Sequence, residues 1–197
     1  MTFWDFCSPI YDFVQKRNVN YDEWNDAIVQ HIDEGSTVLE LAGGTGEISI
    51  RMAHKAKRIV CTDLSAKMLK VAQRKARGKE NVSFEVADLY CLNFNDHSFD
   101  IVVASQVLHL LDDPQKAIDE IKRVAKEKII LPVCLLKDVK GFAKFQISIW
   151  KLLGFHPKYV FDKEAYIAFL QGHGLAICEA VVIDGSMPII VVVCEKA

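Results

Sequence analysis

The run Val38-Leu39-Glu40-Leu41-Ala42-Gly43-Gly44-Thr45-Gly46 leaves an apolar stretch and enters a helical pattern. Glycines at such a turn allow a tight bend and let a ligand approach the backbone. The N-terminus of the helix that follows offers unpaired N–H groups to an anionic group. Two carboxylates sit at the ends of later apolar runs: Asp63 in Cys61-Thr62-Asp63-Leu64-Ser65 and Asp88 in Val86-Ala87-Asp88-Leu89-Tyr90. An ionised carboxylate accepts several hydrogen bonds at once, from ligand hydroxyls or from the backbone. Asp63 therefore suits ligand binding or capping of the next helix, a role Ser65 fills equally well, and Asp88 also suits a plain turn. His109 lies in Ser105-Gln106-Val107-Leu108-His109. Its imidazole titrates near neutrality and is a candidate to take a proton from a reacting group, while its neighbours Leu108 and Leu110 suit a structural histidine. His31, His54, His97, His156 and His173 belong to no constellation.

The elements that must position these residues alternate. Thr37–Leu41, Arg58–Thr62, Val82–Val86, Asp100–Ala104 and Lys128–Val133 read as five strands, nearly continuous in Val, Ile and Leu, as buried parallel strands are. Between them run helical patterns. Ser65 caps one that carries Met68, Leu69, Val71, Ala72 and Ala76. Asp113-Pro114 starts another, with Ala117, Ile118, Ile121, Val124 and Ala125 at helical spacing. Strand–helix alternation implies a doubly wound α/β parallel sheet with right-handed crossovers. The end of the chain departs from this. A helix from about Asp162 to Gln171 precedes two β-rich runs, Leu175–Ile183 and Ile189–Glu195, whose five-residue connection is too short for a helix. They are expected to form an antiparallel hairpin.

Composition narrows the function classes. With 197 residues, 51% hydrophobic and 25% charged, the chain suits one domain, 1–197, with a sizeable core. A net charge of -2 gives no broad basic surface, so nucleic acid is not an expected partner. The cluster Arg74, Lys75, Arg77 and Lys79 sits where a helix ends and complements its dipole. The six cysteines have no metal-ligand or redox-pair spacing, which reads as reduced thiols, no metal site and a cytoplasmic setting. No run has membrane-spanning length, and the N-terminus lacks the pattern of a signal peptide.

The glycine turn is not the dinucleotide fingerprint. Starting from Gly44 and Gly46, the third glycine position holds Ser49; starting from Ala42 and Gly44, it holds Glu47. The pattern instead resembles the acidic–x–Gly–x–Gly–x–Gly motif of class I S-adenosylmethionine-dependent methyltransferases. Glu40, Gly44 and Gly46 match, and Ala42 departs at the first glycine. The resemblance runs from about Thr37 to Leu131, continues in topology to the terminal hairpin, and is nearest to the ubiquinone and menaquinone C-methyltransferase group. It implies a seven-stranded sheet of order 3-2-1-4-5-7-6 with strand 7 antiparallel. It implies S-adenosylmethionine as cofactor and S-adenosylhomocysteine as product. By the same resemblance Asp63 holds the ribose hydroxyls, Leu64 and Met68 flank the adenine, and Asp88 and Leu89 meet its edge. Ser105 and Gln106 then lie by the methionine part. No Asn/Asp-Pro-Pro-aromatic motif follows the fourth strand, which counts against the adenine- or glutamine-amide N-methyltransferase type.

The reaction expected is methyl transfer to a small, partly apolar acceptor. Two aromatic segments are expected to close its pocket: a helical cap over 1–34, with Trp4 and Tyr11, and a lid over 137–160, with Phe142, Phe145 and Trp150. A nicotinamide oxidoreductase is the weaker rival, given the missing glycine. A non-catalytic cofactor-binding module acting through a protein partner is the other. An enclosed pocket favours the enzyme; a cofactor site opening on a flat apolar face favours the module.

Overall fold

The computed structural model describes residues 3–16 and 20–196, so positions 1–2 and 17–19 of the proposed N-terminal cap lie outside the described residues. Seven strands form one sheet in the order β3-β2-β1-β4-β5-β7-β6. They are β1 (Thr37–Leu41), β2 (Arg58–Asp63), β3 (Val82–Val86), β4 (Phe99–Ala104), β5 (Ala125–Cys134), β6 (Ala176–Ile183) and β7 (Ile189–Glu195). β1 to β5 pair in parallel, and β7 runs antiparallel to both β5 and β6.

Period-two alternation along the strands feeds two cores. Val38, Ile59, Ile101, Val103 and Ile130 point to one face, against Trp24 and Ile28 of α3 (Tyr21–Val29) and Ile48 and Met52 of α4 (Glu47–Met52). Leu39, Val60, Val102, Ala104 and Leu131 point to the other. There they meet Ile118 and Ile121 of α6 (Pro114–Val124) and Tyr166 and Leu170 of α8 (Lys163–Gly172). Both faces are covered, which is why the central strands carry so few polar residues.

The helix starts follow their capping residues. Ser65 Oγ accepts from the Met68 N–H at the start of α5 (Ala66–Lys75), and the Asp113 and Asp162 carboxylates do the same for α6 and α8. The largest difference from the expected strand bounds is at the start of β5. β5 begins at Ala125, not Lys128, because α6 runs straight into it without a loop.

β5 also shows how its pairing with β4 ends. Pairing between β4 and β5 stops at Val103 with Ile130. Beyond it stands Pro132, a residue excluded from most inner strands because it has no N–H. Its carbonyl accepts from the Gln106 N–H at 2.9 Å. In a strand the N–H and C=O of one residue point the same way, so the missing donor of Pro132 faces the side that β4 has already left. This junction adjoins the carboxyl ends of β1 and β4, which stay paired to Leu41 with Ala104 and from which the crossovers diverge, the place where ligands bind in such sheets.

Gly46 is the N-cap of α4, with φ +72°. A Cβ there would lie 2.8 Å from the Ala72 Cβ and 3.1 Å from the Phe84 ring. Gly46→Ala should therefore destabilise the protein by at least about 1–2 kcal/mol, the left-handed penalty alone. A urea midpoint equal to that of the natural protein would show that α4 and α5 are not packed this closely.

Candidate functional site

The loop after β1 is stitched to the loop after β2. The Gly43 N–H donates to the Thr62 carbonyl at 2.8 Å, and the Thr62 hydroxyl donates to the Glu40 carbonyl at 3.1 Å. A Cβ on Gly43 would lie 2.4 Å from Cys61 Sγ, so this glycine is required for packing, not for ligand approach. Gly44 differs. It has φ +56°, nothing within 4 Å of an added Cβ, and a place on a cavity wall. Ala42 also adopts a left-handed conformation, φ +52°, which explains why glycine suits that position better.

Asp63 joins the two loops. One carboxylate oxygen accepts from the Gly44 N–H at 2.9 Å and the other from the Ser65 N–H at 2.7 Å. Burial raises its pKa, and these two donors pull it back down. The helix cap is Ser65, so Asp63 is left to order the loops and keeps a further lone pair on each oxygen.

A cavity of about 290 Å³ lies at this edge of the sheet. Ala42, Gly44, Asp63, Leu64, Met68, Asp88, Leu89, Ser105 and Gln106 all line it. Glu40 and Gly46 do not. Gly46 is turned into the α4–α5 contact described above. Glu40 is 1% exposed and lies beneath the loop, where it accepts a short hydrogen bond from the Ser49 hydroxyl. Desolvation raises its pKa to about 7, against the Ser49 and Cys61 hydrogen bonds that lower it. The sequence reading placed Glu40 on the ligand; the structure places it behind the loop that would meet the ligand.

A second, narrower cavity of about 60 Å³ adjoins the first, and Trp4, Tyr11 and Gln106 line both. It is lined mainly by Trp24, Trp150, Phe155, Ile147 and Ile189, with His109 and Cys134 among them. Three buried polar atoms of these walls have no partner among the described residues: Ser105 Oγ, Gln106 Nε2 and His109 Nδ1. Gln106 is strained, at φ +56°, and its Oε1 accepts from the Cys134 N–H at 2.8 Å. That bond fixes the amide and leaves its NH2 free to donate. Burial lowers the His109 pKa to about 4, so the ring is neutral at physiological pH.

The N-terminal segment covers both cavities, through α1 (Phe3–Cys7) and α2 (Tyr11–Gln15). Asp5 accepts from the Ser65 hydroxyl at 2.6 Å, and Asp12 pairs with Lys75 at 2.6 Å and with the Thr45 hydroxyl. The expected cap thus walls the larger cavity as well as the smaller one. The lid helix α7 (Phe142–Leu152) contributes Ile147 and Trp150. Phe142 and Phe145, expected in the pocket, face solvent at 79% and 58% exposure. Helical periodicity is the reason: residues 143, 147 and 150 share the inner face, and 142 and 145 fall on the opposite side. The sequence reading missed Gln15, Asn20, Cys134 and Met187, which come together only through tertiary packing.

Residues 39–131 match the family described as Methyltransferase domain. The solved structure of a SAM dependent methyltransferase from Aquifex aeolicus superposes with a TM-score of 0.71 at 19% identity, covering 88% of this chain and 89% of that one. The chain resembles the class I S-adenosylmethionine-dependent methyltransferases over residues 39–131 and in its fold. It is similar to a demethylmenaquinone methyltransferase of Clavibacter sepedonicus, 38% identical over 100 residues, which are 51% of this chain and 41% of that protein. The chain spans half or less of the length of the first curated relatives it matches, 41%, 50% and 44%. A structure described as the [4+2]-cyclase SpnF shares the fold with a TM-score of 0.72 at 18% identity over 89% of this chain and 80% of that one. Within this fold the reaction is therefore set by the site and not by the sheet.

Glu40 gives a test of the loop. Its pKa is raised on folding, so its contribution to stability is full below the ordinary carboxylate pKa and is lost as pH rises through about 7. A shift of this size corresponds to about 3 kcal/mol. Glu40→Gln should therefore gain stability relative to the natural apoprotein between pH 5 and pH 8, followed by urea unfolding at each pH. A stability difference that does not change with pH would mean that Glu40 stays ionised when buried.

Proposed function

We propose that the protein transfers a methyl group from S-adenosylmethionine to a small, partly apolar acceptor. The observation that carries this is the pair of joined cavities. One has Asp63, Gly44 and unpaired Ser105 and Gln106 groups on its walls, and the other is apolar and lined with aromatic rings. The fit to the cofactor rests on Gly44, where a side chain would fill the space, and on Asp63, whose spare lone pairs suit two ribose hydroxyls. Leu64 and Met68 offer apolar contact to an adenine ring, with Asp88 and Leu89 at its edge, and Ser105 and Gln106 reach toward the methionine part. The demethylmenaquinone methyltransferase relative supports a small-molecule acceptor.

When bound, the cofactor supplies an already activated methyl group. The chain's own residues then have three tasks: to hold the two reactants in line, to exclude water and to accommodate the acceptor's proton. Trp4 and Tyr11 close both compartments from one side, and Trp150 and Phe155 close the acceptor side. Neutral His109 lines the acceptor compartment, and its buried Nδ1 has no partner among the described residues. It either accepts the acceptor's proton or hydrogen-bonds its polar group. The second, aromatic-lined cavity beside the first supports an enzyme over a module that binds the cofactor and works through a partner.

Calorimetry with S-adenosylmethionine tests the larger cavity. Asp63→Ala should weaken binding about ten- to a hundredfold, the loss of a charge-assisted hydrogen bond. Unchanged affinity would confine Asp63 to ordering the loops. The acceptor compartment is tested by S-adenosylhomocysteine release across phenol, amine, thiol and carbon-nucleophile acceptors. On an acceptor so found, His109→Gln should lower turnover at saturation about a hundredfold with cofactor affinity unchanged. Normal turnover across pH would make His109 structural.

A further inference from the structure

Two walls of the larger cavity come from strands that are not neighbours. Asp88, Leu89 and Tyr90 follow β3, and Gln106, Leu110 and Leu111 follow β4. β2 and β1 lie between those strands, so the two walls start roughly 14 Å apart, three strand spacings. One side chain crosses from wall to wall. The Tyr90 hydroxyl oxygen accepts the N–H of Asp112 at 3.1 Å and the N–H of Asp113 at 3.2 Å. Among the described residues no other hydrogen bond joins 87–91 to 105–113.

Local chemistry fixes both ends of this link. The Asp88 carboxylate accepts from the Tyr90 N–H at 2.9 Å, and the Asp88 carbonyl accepts from the Cys91 N–H at 3.0 Å. The result is a tight turn with Tyr90 at its tip. Lys116 Nζ lies 5.6 Å from the centroid of the Tyr90 ring. On the other side, the two N–H groups stand at the start of α6, where Asp113 is the N-cap and no earlier helix carbonyl can take them. Two donors thus meet on one hydroxyl oxygen, which phenylalanine could not offer. The segment held in this way also carries His109. Its other side is fixed separately: the His109 carbonyl accepts from the Lys158 and Tyr159 N–H groups at 2.8 and 3.1 Å, and Lys158 pairs with Asp112 at 2.6 Å.

We propose that Tyr90 is a positioning residue of the cofactor site, whose hydroxyl straps the loop after β3 to the segment after β4 and so sets the width of the larger cavity at the end assigned to adenine. The proposal rests on the reading of this cavity as the S-adenosylmethionine site. Asp88 and Leu89 stand immediately before Tyr90, and Leu110 and Leu111 immediately before its two partners, so the spacing of these wall residues depends on the strap. A planar ring between two walls loses dispersion contact steeply when one wall moves away. A strap formed before the ligand arrives also spares binding the cost of ordering the loop. Tyr90 acts through the walls and not on the reacting atoms.

The test is Tyr90→Phe in the full chain, followed by amide hydrogen exchange, urea unfolding and calorimetry with S-adenosylhomocysteine and with adenosine. Without ligand, the Asp112 and Asp113 amides should exchange at least about fivefold faster in the variant, with those of β1 and β2 unchanged. The urea midpoint should match that of the natural protein. Both ligands should bind at least about fivefold more weakly, and by the same factor, because they share the adenosine part. The loss should lie in the dissociation rate. Unchanged affinity overturns the proposal even where the two amides respond. Unchanged exchange at Asp112 and Asp113 overturns it as well. So does a loss of affinity that comes with a lower urea midpoint, since Tyr90 would then serve general stability. A natural protein that binds neither ligand strikes the methyltransferase reading, and the proposal with it, before any variant is compared.

Discussion

The arrangement of the site depends on one carboxylate. Asp63 accepts backbone N–H groups from two loops that leave different strands, at Gly44 and Ser65. Each loop then holds a piece of the N-terminal cover through the adjacent hydroxyl: Thr45 bonds Asp12, and Ser65 bonds Asp5. Trp4 and Tyr11 are thereby placed over both cavities. The order is hierarchical. Strand pairing sets Asp63, Asp63 sets the loops, and the loops set the cover. A change at Asp63 would accordingly be felt in the cover as well as in the larger cavity, which is why affinity and fold must be measured separately.

The second constraint is unmet polar demand. Leaving a buried donor or acceptor without a partner costs about 1–3 kcal/mol. Ser105, Gln106 and His109 carry that cost within five residues of one another, and Gln106 adds a left-handed backbone. The Gln106 N–H donates to Pro132 and its Oε1 accepts from Cys134, so this residue ties the end of β4 to β5, and its amide NH2 is left without a partner among the described residues. A core built only for stability would have apolar residues there.

The sheet was legible in the sequence because its strands are buried on both faces and read as uninterrupted apolar runs. The terminal hairpin was legible because five residues cannot hold a crossover helix. The cavity-lining residues of the first three βα turns followed from the glycine turn and from carboxylates at strand ends. Glu40 did not, because a motif match reports position along the chain and not which way a side chain turns. Phe142 and Phe145 failed for a related reason. Aromatic content marked the segment, but only the helical phase, fixed by Ala143, Ile147 and Trp150, decides which rings face in. Asn20 and Met187 could not be found at all. Asn20 reaches the loop between β6 and β7 by donating to the Asp184 and Met187 carbonyls, a contact across more than 160 residues.

The N-terminal cover is held by few and weak contacts. α1 and α2 have five residues each, far below the roughly 12–15 at which an isolated helix becomes marginally stable. They persist through tertiary contacts: the Asp5 and Asp12 bonds, and edge-to-face contacts of Trp4 with Phe3, Tyr11 and Phe155 at 5.0–6.3 Å. Aromatic pairs of this kind are worth about 0.5–1.5 kcal/mol each beyond their buried area, and partly exposed ion pairs about 1 kcal/mol or less. Their sum is a few kcal/mol, which is what holds α1 and α2 in place over the cavities. The smaller cavity, about 60 Å³, is narrow beside the larger one, about 290 Å³, and the N-terminal cover walls both. The sheet thus fixes the residues at its carboxyl edge, and the weakly held cover completes the walls of both cavities.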